Sequence, residues 1–153
     1  MSPSRTQRRF SSLPNPEFVI PADLPADLRP LWVELRQVGV DIRLQTPPKA
    51  GAYGLYQSRP RLLWVSPITR DLGIFRTTFL HEAVHAVQAC KSNIPLPLGI
   101  KTTLTPVIQR RVHQLLYSGY SPEDAALEQE AFEIQGRSDA VPLLISLLRS
   151  RCR

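Results

Sequence analysis

At 153 residues with 42% apolar side chains, the chain is long enough for one domain with a sizeable core, and no apolar run approaches the roughly 18 residues of a membrane span. A net charge of +6 points toward polyanions. The arginines are scattered, however, and no finger, helix-turn-helix or RNP-like pattern accompanies them, so nucleic acid is a weakly supported partner. Cys90 and Cys152 are too few and too ill-placed for a disulfide framework, which suits a cytoplasmic protein.

Residues 1–22 are rich in proline, serine and arginine, with no acid before Glu17, and are expected to form a disordered or loosely attached basic arm. The same composition suits an organelle transit peptide, the alternative to a cytoplasmic location. Residues 23–153 make the single domain. Leu31, Trp32, Leu35 and Val38 recur at helical spacing and predict a helix from Asp23 or Ala26 to Val38. Asp41–Leu44 alternates as a strand, and Pro47–Gly51 is a turn. Tyr53–Gln57 and Arg61–Val65 read as strands flanking a hairpin-like break at Ser58-Arg59-Pro60. A helix follows over about Leu72 to Lys91, then a proline-rich loop from Ile94 to Pro106, expected near a cleft. Val107–Tyr117, an acidic segment and Ala140–Leu148 complete a helical second half. The fold class is α+β: an N-terminal helix and a short antiparallel sheet, then a central helix and a helical C-terminal half.

The central helix carries His81-Glu82-Ala83-Val84-His85. Four residues on a helix turn through about 400°, so the two imidazoles project from one face, one turn apart, and can share a zinc ion. Glu82 lies about 100° from His81, wrong for the same coordination shell but right for a base acting on water at that metal. Thr77, Thr78, His81, His85 and Gln88 share one arc, and apolar residues cover the rest. A helix of that kind is buried, with its polar stripe facing a cavity.

Two histidines need a third protein ligand. Lys91 and Gln88 stand where a metzincin would carry its third histidine and its glycine, so that solution is absent. The acidic helix runs from an N-cap at Ser121, with Pro122 at N1, to Gly136. With Ala125 at 0°, Gln129, Glu133 and Glu130 fall at about 40°, 80° and 140°, a solvated polar face. Glu128 falls at about 300°, between Ala131 and Phe132, with Gln135 beside it. A carboxylate in an apolar arc needs a positive partner, and zinc would serve. Glu128 is the preferred third ligand, with Glu130 and His113 as the rivals.

A zinc helix carrying His81-Glu82-x-x-His85, followed by Glu128-Gln129-Glu130-Ala131 on a later helix, resembles the gluzincin metallopeptidases, above all their small members. The resemblance covers residues 40–136 and rests on those two motifs. It departs at Phe132, where the family carries the Asp or Asn that orients a histidine. It implies a minimal zincin-like domain and zinc-dependent hydrolysis of peptide bonds, with Glu82 as general base. His113, Tyr117 and Tyr120 are candidates for an oxyanion donor, and Tyr53–Gln57 for a strand that pairs with an extended substrate. The alternatives are a non-catalytic zinc-binding interaction domain and a basic nucleic-acid-associated protein. An intact Glu82 favours the enzyme, because a structural zinc site has no use for a base. Oligomeric state leaves no mark in the sequence.

Overall fold

The computed structural model describes residues 19–101 and 122–153. The greater part of the expected arm, His113, Tyr117, Tyr120, the Ser121 cap and the Val107–Tyr117 helix lie outside those residues. In the described part Ile20 packs against the core. A single 3₁₀ turn, Ala26–Leu28, leads into α1, Arg29–Gln37, with a proline in its first turn where no amide donor is missed. Helix α1 stops because Gly39 adopts φ 87°. Its amide and that of Val40 return to the carbonyls of Arg36 and Leu35, closing a Schellman motif.

Strands β1 (Asp41–Arg43), β2 (Gly54–Ser58) and β3 (Arg61–Val65) form one sheet in the order β1-β3-β2. β2 and β3 are antiparallel, Tyr56 opposite Leu63, as their hairpin-like break suggests. β1 runs parallel to β3, Ile42 beside Leu63, so the sheet is mixed rather than antiparallel. Alternation identifies a strand but carries no information on its direction. Among the described residues β2 has a strand neighbour on one side only.

A short helix α2, Ile68–Asp71, precedes the central helix α3, Phe75–Ala89. The expected single helix from Leu72 is therefore corrected. Gly73 at φ 70° ends α2 with a second Schellman motif, Gly73 to Arg70 and Ile74 to Thr69, and α3 starts two residues later. α3 is buried nearly all round, as its sequence requires, between the sheet and helices α4 (Pro122–Gln135) and α5 (Ala140–Arg151). Phe79, Leu80, Ala83, Val84 and Val87 meet Leu63 and Val65 of β3, Ile134 of α4 and Leu144 and Leu148 of α5 in one core. Trp32 of α1 stacks on Phe79 with ring centroids 6.1 Å apart.

Polar ties fix the layers. Glu34 of α1, 5% exposed, accepts hydrogen bonds from Arg149 at 2.7 Å and Arg153 at 2.9 Å. Arg61 of β3 donates to the carbonyls of Val38 and Cys90, where α1 and α3 end and their dipoles are negative. Several arginines that read as a scattered basic surface thus join elements together. The reading of the cysteines is also corrected. Cys90 and Cys152 form a disulfide, their Cα atoms 5.4 Å apart, which links the C-terminal ends of α3 and α5. Their separation of 62 residues hides that proximity from the sequence. No described helix is long and apolar enough to cross a membrane.

Candidate metal centre

His81 and His85 leave α3 one turn apart and face α4, which presents Glu128 to both. Glu128 Oε2 lies 3.0 Å from His81 Nε2, and Oε1 lies 2.9 Å from His85 Nε2. The two Nε2 atoms are 3.2 Å apart. One ligand atom from each residue falls within 4.8 Å of the others, so the three could hold a metal ion. Glu128, the glutamate that helical phase singles out, is the one in this group. It lies one turn before the fully buried Ala131, and its carboxylate finds its partners in the histidines.

The outer ring nitrogens are held as well. His81 Nδ1 is 2.7 Å from Gln135 Oε1, and His85 Nδ1 is 2.8 Å from Gln88 Oε1. An amide oxygen only accepts, so each Nδ1 carries its proton outward and each Nε2 turns toward Glu128. In neutral rings that leaves two imidazole lone pairs and a carboxylate converging with no donor among them. Phe132 packs its ring on His81 at an angle of 69°, with centroids 4.9 Å apart. It supports the imidazole by contact while Gln135, one turn further along α4, supplies the hydrogen bond expected of an Asp or Asn in its place. Gln88 and Gln135 both lie where the sequence placed them, on the metal stripe and beside Glu128. Neither had a role assigned, because an amide in an apolar arc lacks the burial cost that marks a carboxylate.

Glu130, the rival ligand, is corrected. It is 4% exposed rather than solvated, and its carboxylate is not among the groups that converge with the histidines. Its carboxylate accepts from Gln88 Nε2 at 3.0 Å and from the backbone amides of Leu98 at 2.7 Å and Ile100 at 3.0 Å. The helical wheel of α4 alone cannot show this, since the strap of residues 91–101 covers that face.

Glu82 is 8% exposed and lines the same cleft as the histidines. Burial pushes its carboxyl above the ordinary glutamate range, with Glu128 adding to the rise and His81, His85 and Lys49 opposing it. In the metal-free protein burial disfavours the His85 cation, but its hydrogen bond to Glu128 and the nearby carboxylates outweigh that and raise it to about 9. Glu128 is held well below the usual carboxylate range, because the histidine hydrogen bonds outweigh its own burial. The cleft has a volume of about 530 Å³. Its walls are the turn Lys49–Ala52, the start of β2 and Pro95 of the strap. Gly54 was missed by the sequence. A Cβ there would lie 2.8 Å from Glu82 Cγ and from Thr78 Cγ2, so only glycine lets β2 approach the base this closely. No protein-family model, curated protein or solved structure matches the chain.

Proposed function

We propose that this protein is a small zinc-dependent metallopeptidase. The observation that carries the proposal is the convergence of His81, His85 and Glu128 in a cleft that also buries Glu82. Two imidazoles and one carboxylate form the ligand set of catalytic zinc sites, which keep a fourth position open, whereas calcium and magnesium take oxygen ligands. The two Nε2 atoms stand 3.2 Å apart and each lies within 3.0 Å of a Glu128 oxygen, so all three residues can reach one ion.

Zinc, when bound, supplies Lewis acidity toward a carbonyl and makes water acidic enough to attack it near neutral pH. The residues of the chain do the rest. Glu82 accepts a proton from the attacking water at a carboxylate whose pKa is raised toward the working range, then donates it to the departing amine. Gln135 and Gln88 hold the imidazoles in one tautomer. β2, with one edge unpaired by any strand among the described residues and its first residue against Glu82, suits an extended peptide laid along that edge. The peptide or protein substrate is therefore proposed to lie beside β2.

Reconstitution with zinc and incubation with an unstructured protein substrate tests this, with Glu82→Gln as the control. The proposal expects cleavage by the unmodified protein and its loss in Glu82→Gln at unchanged zinc content. Equal cleavage by both would refute the role of Glu82.

A further inference from the structure

We propose that Glu130 is a positioning residue for the metal centre. It acts on ligand His85 through Gln88, and it ties the strap over the cleft to the same point. The inference rests on the metal-site reading and extends it to residues that touch no metal.

The side-chain amide of Gln88 is 2% exposed and shut off from bulk solvent. Gln88 Nε2 is 3.1 Å from the Leu127 carbonyl and 3.0 Å from Glu130 Oε1. Both of those groups only accept, so the NH₂ end of the amide must face them. The oxygen end is thereby forced toward His85 Nδ1, 2.8 Å away. An acceptor at that place requires Nδ1 to carry the proton. The lone pair of Nε2 is then left facing Glu128 and His81, where a metal would take it. The Glu130 carboxyl oxygens take N–H donors from Gln88, Leu98 and Ile100, so their place is fixed independently of the Gln88 amide. The carboxylate thus anchors the orientation of the whole chain Glu130–Gln88–His85.

The same carboxylate has a second task. Its oxygens accept the amides of Leu98 and Ile100, and the Gln88 carbonyl accepts the amide of Leu96 at 2.9 Å. The strap between Asn93 and Lys101 has no regular structure of its own. Its Pro95 nevertheless forms part of the cleft wall. Burying a carboxylate is costly unless donors surround it, and here three N–H groups do so. The wall of the cleft and the imidazole of His85 are therefore fixed by one side chain.

The test compares full-length unmodified protein with Gln88→Ala, Gln88→Glu, Glu130→Gln and the exchanged pair Gln88→Glu/Glu130→Gln. Three readouts are taken: zinc Kd by chelator competition, the absorption spectrum of the cobalt-substituted protein, and amide hydrogen exchange of the metal-free protein at Leu98 and Ile100. Gln88→Ala is expected to weaken zinc binding about 10–100-fold and to shift the cobalt spectrum. Gln88→Glu alone sets two carboxylates against each other and should be at least as damaging. The exchanged pair restores an acceptor for His85 and a donor between positions 88 and 130 but leaves the Leu127 carbonyl facing a carboxylate, so its zinc affinity should exceed that of Gln88→Glu without reaching that of the unmodified protein. Glu130→Gln should speed exchange at Leu98 or Ile100. Equal zinc affinity and unchanged cobalt spectra in Gln88→Ala and Glu130→Gln would overturn the inference, as would an exchanged pair no better than Gln88→Glu. Failure of the unmodified protein to bind zinc would overturn the metal-site reading itself, a separate outcome that the same titration distinguishes.

Discussion

Replacing Gly54 by alanine sets two effects of opposite sign against each other. Within a strand, glycine to alanine ordinarily stabilises by about 0.4–1 kcal/mol, because the unfolded chain loses conformational freedom. At position 54 the added methyl would lie 2.8 Å from both Glu82 Cγ and Thr78 Cγ2 and 2.9 Å from Glu82 Oε1. Both neighbours sit on α3, and Glu82 is 8% exposed, so it has little room to retreat. Overpacking of this kind costs about 1–3 kcal/mol. The net expectation is a loss of about 1–2 kcal/mol, a fall in Tm of about 2–8 °C for a chain of this size. Urea unfolding of Gly54→Ala measures it, and a double-mutant cycle with Thr78→Ser, which deletes the Cγ2 methyl, should recover part of the loss. On the proposed function the same variant should also lose activity on the order of 100-fold, the cost of a shift of about 1 Å in a catalytic group. A Gly54→Ala protein more stable than the unmodified one would refute the close approach of β2 to Glu82.

Three further outcomes follow from the geometry. In the metal-free protein His85 is raised from 6.5 to about 9, so its contribution is complete below pH 6.5 and disappears as pH rises toward 9. Glu128, lowered from 4.5, contributes above that pH and loses its contribution as pH falls below it. The joint contribution of this pair to stability in chelator should therefore be greatest between about pH 4.5 and 6.5, and the His85 share should fall by up to about 3 kcal/mol toward pH 9. The alkaline fall should flatten in Glu128→Gln, and an unchanged profile in that variant would contradict the pairing. Cys152→Ser opens a link spanning 62 residues and should cost up to about 4 kcal/mol in chemical denaturation. Thiol titration of the protein unfolded without reductant should find neither cysteine free. Two free thiols would favour the reducing cytoplasm instead. Gln135→Leu should weaken zinc binding about 10–100-fold, and an unaltered affinity would remove Gln135 from the support of His81.

The sequence carried the site further than it carried the fold around it. His81, Glu82 and His85 were legible because helical periodicity alone puts the two histidines on one face. Glu128 was legible because a carboxylate between Ala131 and Phe132 needs a partner. The same wheel misjudged Glu130, whose burial comes from Leu98 and Ile100 on a strap that periodicity does not see. Gly73 is a stop signal in plain view between Leu72 and Ile74, and it explains why α3 begins later than the apolar run suggests. The parallel direction of β1 and the meeting of Cys90 with Cys152 depend on tertiary packing, which no local pattern encodes. Gln88 and Gln135 are uncharged, so their positions on the metal stripe and beside Glu128 gave no energetic reason to single them out.

Elemental analysis for zinc on the purified protein, beside His85→Ala and Glu128→Ala, tests the central claim most directly. The account expects one equivalent of zinc in the unmodified protein and its loss in both variants. Zinc retained by Glu128→Ala, or none in the unmodified protein after reconstitution, would contradict it.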